Sequence, residues 1–151
     1  MPSLHFGAML VLLWNSRAWR WPGRAVAIGF AAAMAFATMA LGQHYLIDLV
    51  VAFPFIAAIQ AAWTTAVPLR SPCRYLPLIG GAALVAVWLL ALRFAVPIFL
   101  QIAWLPWVSV GSTVGIAAGL EWNLSRGLRR LASSSQPAED SPVADEVRAV
   151  A

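Results

Sequence analysis

The sequence predicts an all-α fold, a polytopic transmembrane helical bundle of about five spans followed by a disordered C-terminal tail. Three observations predict it. Of 151 residues, 62% are hydrophobic and only 11% charged, whereas a water-soluble domain carries about 25% charged residues. The mean hydropathy is +0.79, and apolar runs near the roughly 20 residues that a bilayer core demands recur along the chain. Those runs are continuous, whereas the strands of a membrane barrel would alternate. Helices meet the need to satisfy every backbone polar group inside lipid.

The first helix is expected from Ser3 to about Trp19, with Pro2 and Ser3 at its start. A serine hydroxyl there accepts from an otherwise orphaned backbone N–H. A polar stretch, "NSRAWRWPGR", separates it from a second helix, from about Ala25 to Leu41, that leads to Gly42. The third begins near His44 and runs to about Val67, with Pro54 a kink site. After "PLRSPCR" come a fourth helix, Leu76 to Arg93, and a fifth, Trp107 to Trp122. The segment between these two, "FAVPIFLQIAWLP", has two readings, an extension of either helix or an interfacial stretch. Residues 1–130 thus form the membrane-embedded domain. The tail from Leu131 holds four of the six acidic residues and little that could pack, so it is expected to be disordered.

Charge sets the orientation. The formal net charge is +4 and all ten basic residues are arginine. A pI near 10.6 raises the question of nucleic acid. The arginines, however, sit in short clusters between apolar runs, which is a topology signal, and no nucleic-acid partner is expected. Arg17, Arg20, Arg24, Arg70, Arg74, Arg126, Arg129 and Arg130 share one face of a five-span arrangement, and only Arg93 falls toward the other. The positive-inside rule makes the first face cytoplasmic, together with the C-terminus. The arginine and alanine bias points to a GC-rich bacterial genome, hence a multi-pass protein of the bacterial plasma (inner) membrane. A single cysteine, Cys73, excludes an internal disulfide and lacks companions for a metal site. With no basic segment before the first apolar run, no signal peptide is read.

Three ionisable residues stand apart from this pattern. Both histidines, His5 and His44, fall at the outer face, and Asp48 is the only acidic residue before Glu121. An aspartate at the centre of a span costs about 2.5–3.5 kcal/mol even on the lenient insertion scale. His44 and Asp48 are four residues apart, so on a helix they share a face with Cβ atoms about 5–6 Å apart. The carboxylate can then fix the imidazole tautomer and leave the other nitrogen basic, which makes His44 a candidate nucleophile or general base. His5 lies just inside a helix start, where the positive dipole end favours an anion, and can serve as a proton donor to a leaving group. One nucleophile, one acid and an anion cradle suit phosphoryl transfer.

The motif "PSLH" (Pro2 to His5), followed about forty residues later by "HYLID" (His44 to Asp48), resembles the second and third motifs of the type 2 phosphatidic acid phosphatase superfamily. Leu4 in place of the second motif's glycine, and Thr38 where many relatives have arginine, look like the inositolphosphotransferase or inositol phosphorylceramide synthase branch. The resemblance covers about the first 60 residues. It implies that His44 attacks phosphorus to form a phosphohistidine, Asp48 orients it and His5 protonates the departing oxygen. It also implies that Ser3 and nearby backbone amides hold phosphate oxygens, with no cofactor and no metal. The expected partners are the bilayer and a phospholipid or polyprenyl-phosphate substrate, with a homo-oligomer or a partner membrane subunit as further expectations. The superfamily's first, basic motif lies upstream of the second, which here begins at residue 2. The chain is therefore expected to start inside a longer gene or to be a shortened paralogue. A phosphate then lacks its usual cation, for which Arg93 is the candidate.

Blander readings accompany each assignment. Arg93 can instead snorkel to the headgroups, the commoner behaviour. Gly42 either admits substrate to the backbone or merely ends a helix. Tyr45 and the tryptophans Trp19, Trp21, Trp104, Trp107 and Trp122 suit interfacial belts. "GSTVGIAAG" (111–119) offers small residues for close helix packing, and Gln60, Thr64 and Thr65 suit hydrogen bonds within the bundle. The alternative to an enzyme is an inert truncated bundle or a subunit of a larger membrane complex.

Overall fold

The computed structural model describes residues 3–42 and 45–134, so His44, Pro2 and the tail beyond Ser134 lie outside the described residues. Within them the chain forms six α-helices: α1 (Leu4–Asn15), α2 (Trp21–Ala40), α3 (Leu46–Trp63), α4 (Pro72–Phe94), α5 (Val96–Gln101) and α6 (Leu105–Ser134). A 3-10 turn, Ser16–Ala18, joins α1 to α2. Three helices, α2, α3 and α4, are long and apolar enough to cross a membrane, fewer than the five spans expected.

The first expected span is cut short at Asn15. The buried Ser16 hydroxyl donates to the Leu13 carbonyl at 2.7 Å, and the Trp19 N–H closes the 3-10 turn on Ser16 at 2.9 Å. Twelve helical residues rise about 18 Å, well below a hydrocarbon thickness of about 30 Å. Proline advances two other helix starts. Pro22 and Pro72 occupy first-turn positions of α2 and α4, where a missing N–H costs nothing and the fixed φ suits the helix. Both helices consequently begin four residues earlier than expected. Pro97 starts the short α5 in the same way, so the ambiguous segment becomes a separate six-residue helix rather than an extension. α6 runs twelve residues beyond Trp122, through the arginine cluster and four residues into the expected tail.

The centre of the bundle is α3. Half of its apolar window is buried, against 17% for α2 and for α4. Phe6, Leu10 and Trp14 repeat every fourth residue along α1 and pack against Leu49, Ala52 and Ile56 of α3, with the Phe6 and Phe53 rings edge to face at 5.6 Å. On its other side α3 meets α4 where Pro54 faces Gly81. A Cβ at residue 81 would lie 2.5 Å from the Pro54 carbonyl oxygen and 3.0 Å from Ala58 Cβ, so only glycine permits this backbone approach. α4 and α6 are pinned by the Trp88 indole, which donates to Thr113 Oγ1 at 2.9 Å while stacking on Phe99.

The small residues of 111–119 do not pack as expected. Thr113 and Ala117 are buried, but Gly111, Gly115 and Gly119 are exposed and have nothing within 4 Å of a built Cβ. The tight approach of α6 to α4 falls instead at Gly127, where a Cβ would meet Cys73 Cβ at 2.7 Å. The outward surfaces of α2 and α4 carry Val26, Phe30, Phe36, Val87, Leu89 and Leu90 in the open. An apolar exterior this extensive is that of a membrane protein, since a soluble monomer rarely exposes contiguous apolar patches beyond a few hundred Å².

Two partly buried arrangements close the end of the bundle where α1 and α3 terminate. Arg17 pairs through Nη1 with Glu121 Oε2 of α6, and the Ser125 hydroxyl donates to the other carboxylate oxygen. Arg74, at the start of α4, donates to the carbonyls of Ala61, Ala62 and Val67 at 2.8–2.9 Å. A helix leaves its last four carbonyls without intrahelical partners, and one planar guanidinium satisfies two of them for α3 plus one in the following turn. Thr64 Oγ1, as expected, bonds within the bundle, to the Gln60 carbonyl at 2.7 Å.

Candidate active site

The candidate residues come from two helix starts that the fold places side by side. Ser3 caps α1 from an extended conformation, its Oγ accepting from the Phe6 N–H at 3.4 Å. Its own backbone N–H donates to the carbonyl of Asp48 at 3.2 Å. That bond ties the first turn of α1 to the first turn of α3 and so sets His5 and Asp48 at the same end of the bundle. Gly7, one turn into α1, lets the helices close, since a Cβ there would come within 2.8 Å of Ile56 Cδ1.

Ser3 is almost fully buried, with 1% of its surface exposed, and its hydroxyl is engaged in capping. Helix geometry leaves the N–H groups of Leu4 and His5 without intrahelical acceptors, and both residues are exposed. The imidazole of His5 therefore stands at the rim, beside two amides and a positive helix end that favour an anion.

Asp48 occupies the third position of α3 and is partly buried. Its carboxylate accepts from the Tyr45 N–H at 3.3 Å, and its own N–H donates to the Tyr45 carbonyl at 2.9 Å. A carboxylate in the first turn also complements the helix dipole. Asp48 thus has a local task, ordering the start of α3, in addition to the role expected beside His44. Tyr45 itself is 82% exposed, as an interfacial anchor would be.

Gly42 ends the described stretch that precedes His44 in sequence. It is the one described residue with positive φ, at 65°, and its N–H bonds back to the Met39 carbonyl at 3.1 Å. Residues with a Cβ adopt this left-handed conformation at a cost of about 1–2 kcal/mol. Nothing lies within 4 Å of a built Cβ, so the need for glycine is conformational: Gly42 turns the chain out of α2 and toward α3. Thr38 is buried one turn earlier and donates within α2, to Met34 O at 2.6 Å and Ala35 O at 3.0 Å.

Arg93 lies in the last turn of α4, exposed, with its guanidinium 5.9 Å from the Phe94 ring centroid. Its neighbour Leu92 shares a groove of about 300 Å³ with Leu46 and Ile47 of α3, Phe99 of α5 and Val110 of α6. The groove is lined by apolar side chains and begins one residue before Asp48. Sequence reasoning missed it, because its walls come from four helices and none of its residues is unusual alone. The hydrophobic run 94–106 was the available signal, an apolar stretch too short to span.

Residues 1–62 match the family model of the PAP2 superfamily. That stretch contains Ser3, His5, Thr38, Gly42, His44 and Asp48 and ends at the close of α3. The match supports the superfamily and, at the general level, a phosphatase-type membrane enzyme; it is to the superfamily as a whole and not to the inositolphosphotransferase branch. Neither curated proteins nor solved structures yielded a match.

Proposed function

We propose that the chain is a membrane lipid phosphatase or phosphotransferase of inositolphosphotransferase-like type, working at the outer face through a phosphohistidine. The observation that carries this reading is the Ser3-to-Asp48 backbone bond, which sets the two motif-bearing helix starts at one rim. In the proposed reaction a ring nitrogen of His44 attacks phosphorus, the bond from phosphorus to the departing oxygen breaks, and His5 gives that oxygen its proton. Water or an alcohol then attacks the phosphohistidine, passing its proton to His5 as the P–N bond breaks. Asp48 holds the His44 tautomer and stabilises the charge that develops on it. The free amides of the first turn of α1 and the guanidinium of Arg93 face the phosphate oxygens. The neighbouring apolar groove favours a lipid or polyprenyl phosphate over a soluble ester, since it can take hydrocarbon beside the reacting headgroup.

The test is turnover of labelled lipid phosphate in membrane preparations. His44→Ala is expected to lose at least about 10⁴-fold, as removal of a covalent nucleophile does, and His5→Ala about 10²–10⁴-fold, the range for a general acid. Acid-quenched wild type should retain label on the protein and His44→Ala should not. Equal turnover in all variants would exclude the mechanism.

A further inference from the structure

At the end of the bundle opposite His5 and Asp48, three guanidiniums gather on one indole. The Cζ atoms of Arg17, Arg126 and Arg129 lie 5.4, 5.1 and 5.1 Å from the Trp122 ring centroid. Arg126 and Arg129 are four and seven residues beyond Trp122 on α6, while Arg17 reaches in from the turn after α1. Arg17 is paired with Glu121, but among the described residues Arg126 and Arg129 have no carboxylate partner. Three positive charges thus face a single acid around one ring. Their separations are comparable with the Debye length, about 8 Å at physiological salt, so their repulsion is only partly screened. Cation–π attraction of about 0.5–1 kcal/mol at exposed sites offsets part of that repulsion and leaves most of the charge unmet. Trp122 is 43% exposed, at the level where indoles meet lipid headgroups.

We propose that Arg17, Trp122, Arg126 and Arg129 form a binding site for the phosphate of an anionic phospholipid in the leaflet at this end, separate from the reacting centre. Arg126 and Arg129 supply the donors to phosphate oxygens, for which the guanidinium fork is suited. Trp122 holds the forks in place and packs against the glycerol and upper acyl region. The Glu121 pair fixes Arg17 and fastens α1 to α6 beneath the headgroup, so occupancy should stiffen this corner of the bundle.

Native mass spectrometry of the full chain, exchanged into micelles holding phosphatidylcholine with a minor fraction of phosphatidylglycerol, tests this directly. Wild type is expected to retain one phosphatidylglycerol in preference to the excess lipid and to unfold at a higher temperature when it is present. The variant Arg126→Gln/Arg129→Gln should lose retention by roughly fivefold per arginine, the factor a basic side chain contributes near an anionic surface. A control with equal charge removed elsewhere, Arg24→Gln/Arg70→Gln, should keep it. Full-length chain with Glu139, Asp140, Asp145 and Glu146 changed to their amides should retain at least as much lipid. Three outcomes would overturn the site: equal retention of both lipids, a control that falls as far as the double variant, or loss of retention in the amide variant. Displacement of the lipid by inorganic phosphate would reassign the cluster to a soluble anion and overturn the lipid assignment.

Discussion

The two ends of the bundle are built on different principles. At the end that carries the candidate chemistry, α1 and α3 are joined by one backbone hydrogen bond from Ser3 to Asp48, and His5 and Tyr45 stand exposed. At the other end a buried carboxylate is met by Arg17 and Ser125, and Arg74 occupies three carbonyls. The first end leaves His5 exposed to meet a substrate, whereas at the second Arg17, Glu121, Ser125 and Arg74 are consumed in fastening the bundle while Arg126 and Arg129 are not. The difference teaches that polar residues in this chain divide by whether their hydrogen-bonding capacity is already used. The arginine-rich end, read from sequence as a topology signal alone, also carries interhelical fastening.

That contrast can be broken by substitution, and the effects should differ in kind. The largest is expected at the reacting end: His44→Ala should abolish turnover, while thermal unfolding in detergent micelles stays near wild type. A fall in unfolding temperature as steep as that of any substitution at the fastened end would erase the distinction. Next comes Glu121→Leu. Leaving Arg17 unmatched in a largely buried setting should cost about 3 kcal/mol, the low end for a broken buried pair because Arg17 is a quarter exposed. The double variant Arg17→Leu/Glu121→Leu should recover much of it, since an apolar pair of similar volume avoids the desolvation.

Smaller again is Arg74→Ala, which strips the hydrogen bonds from the end of α3. A loss of about 1–2 kcal/mol is expected because water can reach part of this site. Arg74→Lys should restore only a fraction, a single ammonium being unable to reproduce the planar fork; full rescue by lysine would show that charge alone matters there. The smallest effect should come from Gly42→Ala, about 1 kcal/mol of left-handed backbone strain. It falls in the turn before His44, so turnover should drop more than stability does. A drop in stability with unchanged turnover would reduce Gly42 to a plain helix end.

Much of the candidate site was legible along the chain. Ser3 ahead of an apolar run marks a helix start, and Asp48 near the start of another does the same. The expectation that His44 and Asp48 share a helix face falls outside the described residues, because α3 begins only at Leu46, after an extended Tyr45. Less legible were the lengths of the elements. α1 stops where the Ser16 hydroxyl takes a backbone carbonyl, and the apolar pattern by itself does not mark that competition. α6 continues past Trp122, where Leu124 is buried and Gly127 packs against Cys73 of α4; a stretch this polar does not announce those contacts in its sequence.

The amino-acid order alone determined that the chain is helical and apolar enough for a membrane, roughly where its long apolar helices lie, and near which helix ends the arginines fall. These follow from periodicity, capping and solvent preference, which act within a few residues. Only the packed bundle decided that Arg17 meets Glu121, 104 positions away, that Gly81 admits the Pro54 carbonyl, and that the amide of Ser3 rests on Asp48. Such pairings depend on which helix lies beside which, and many arrangements of the same apolar segments share one hydropathy pattern.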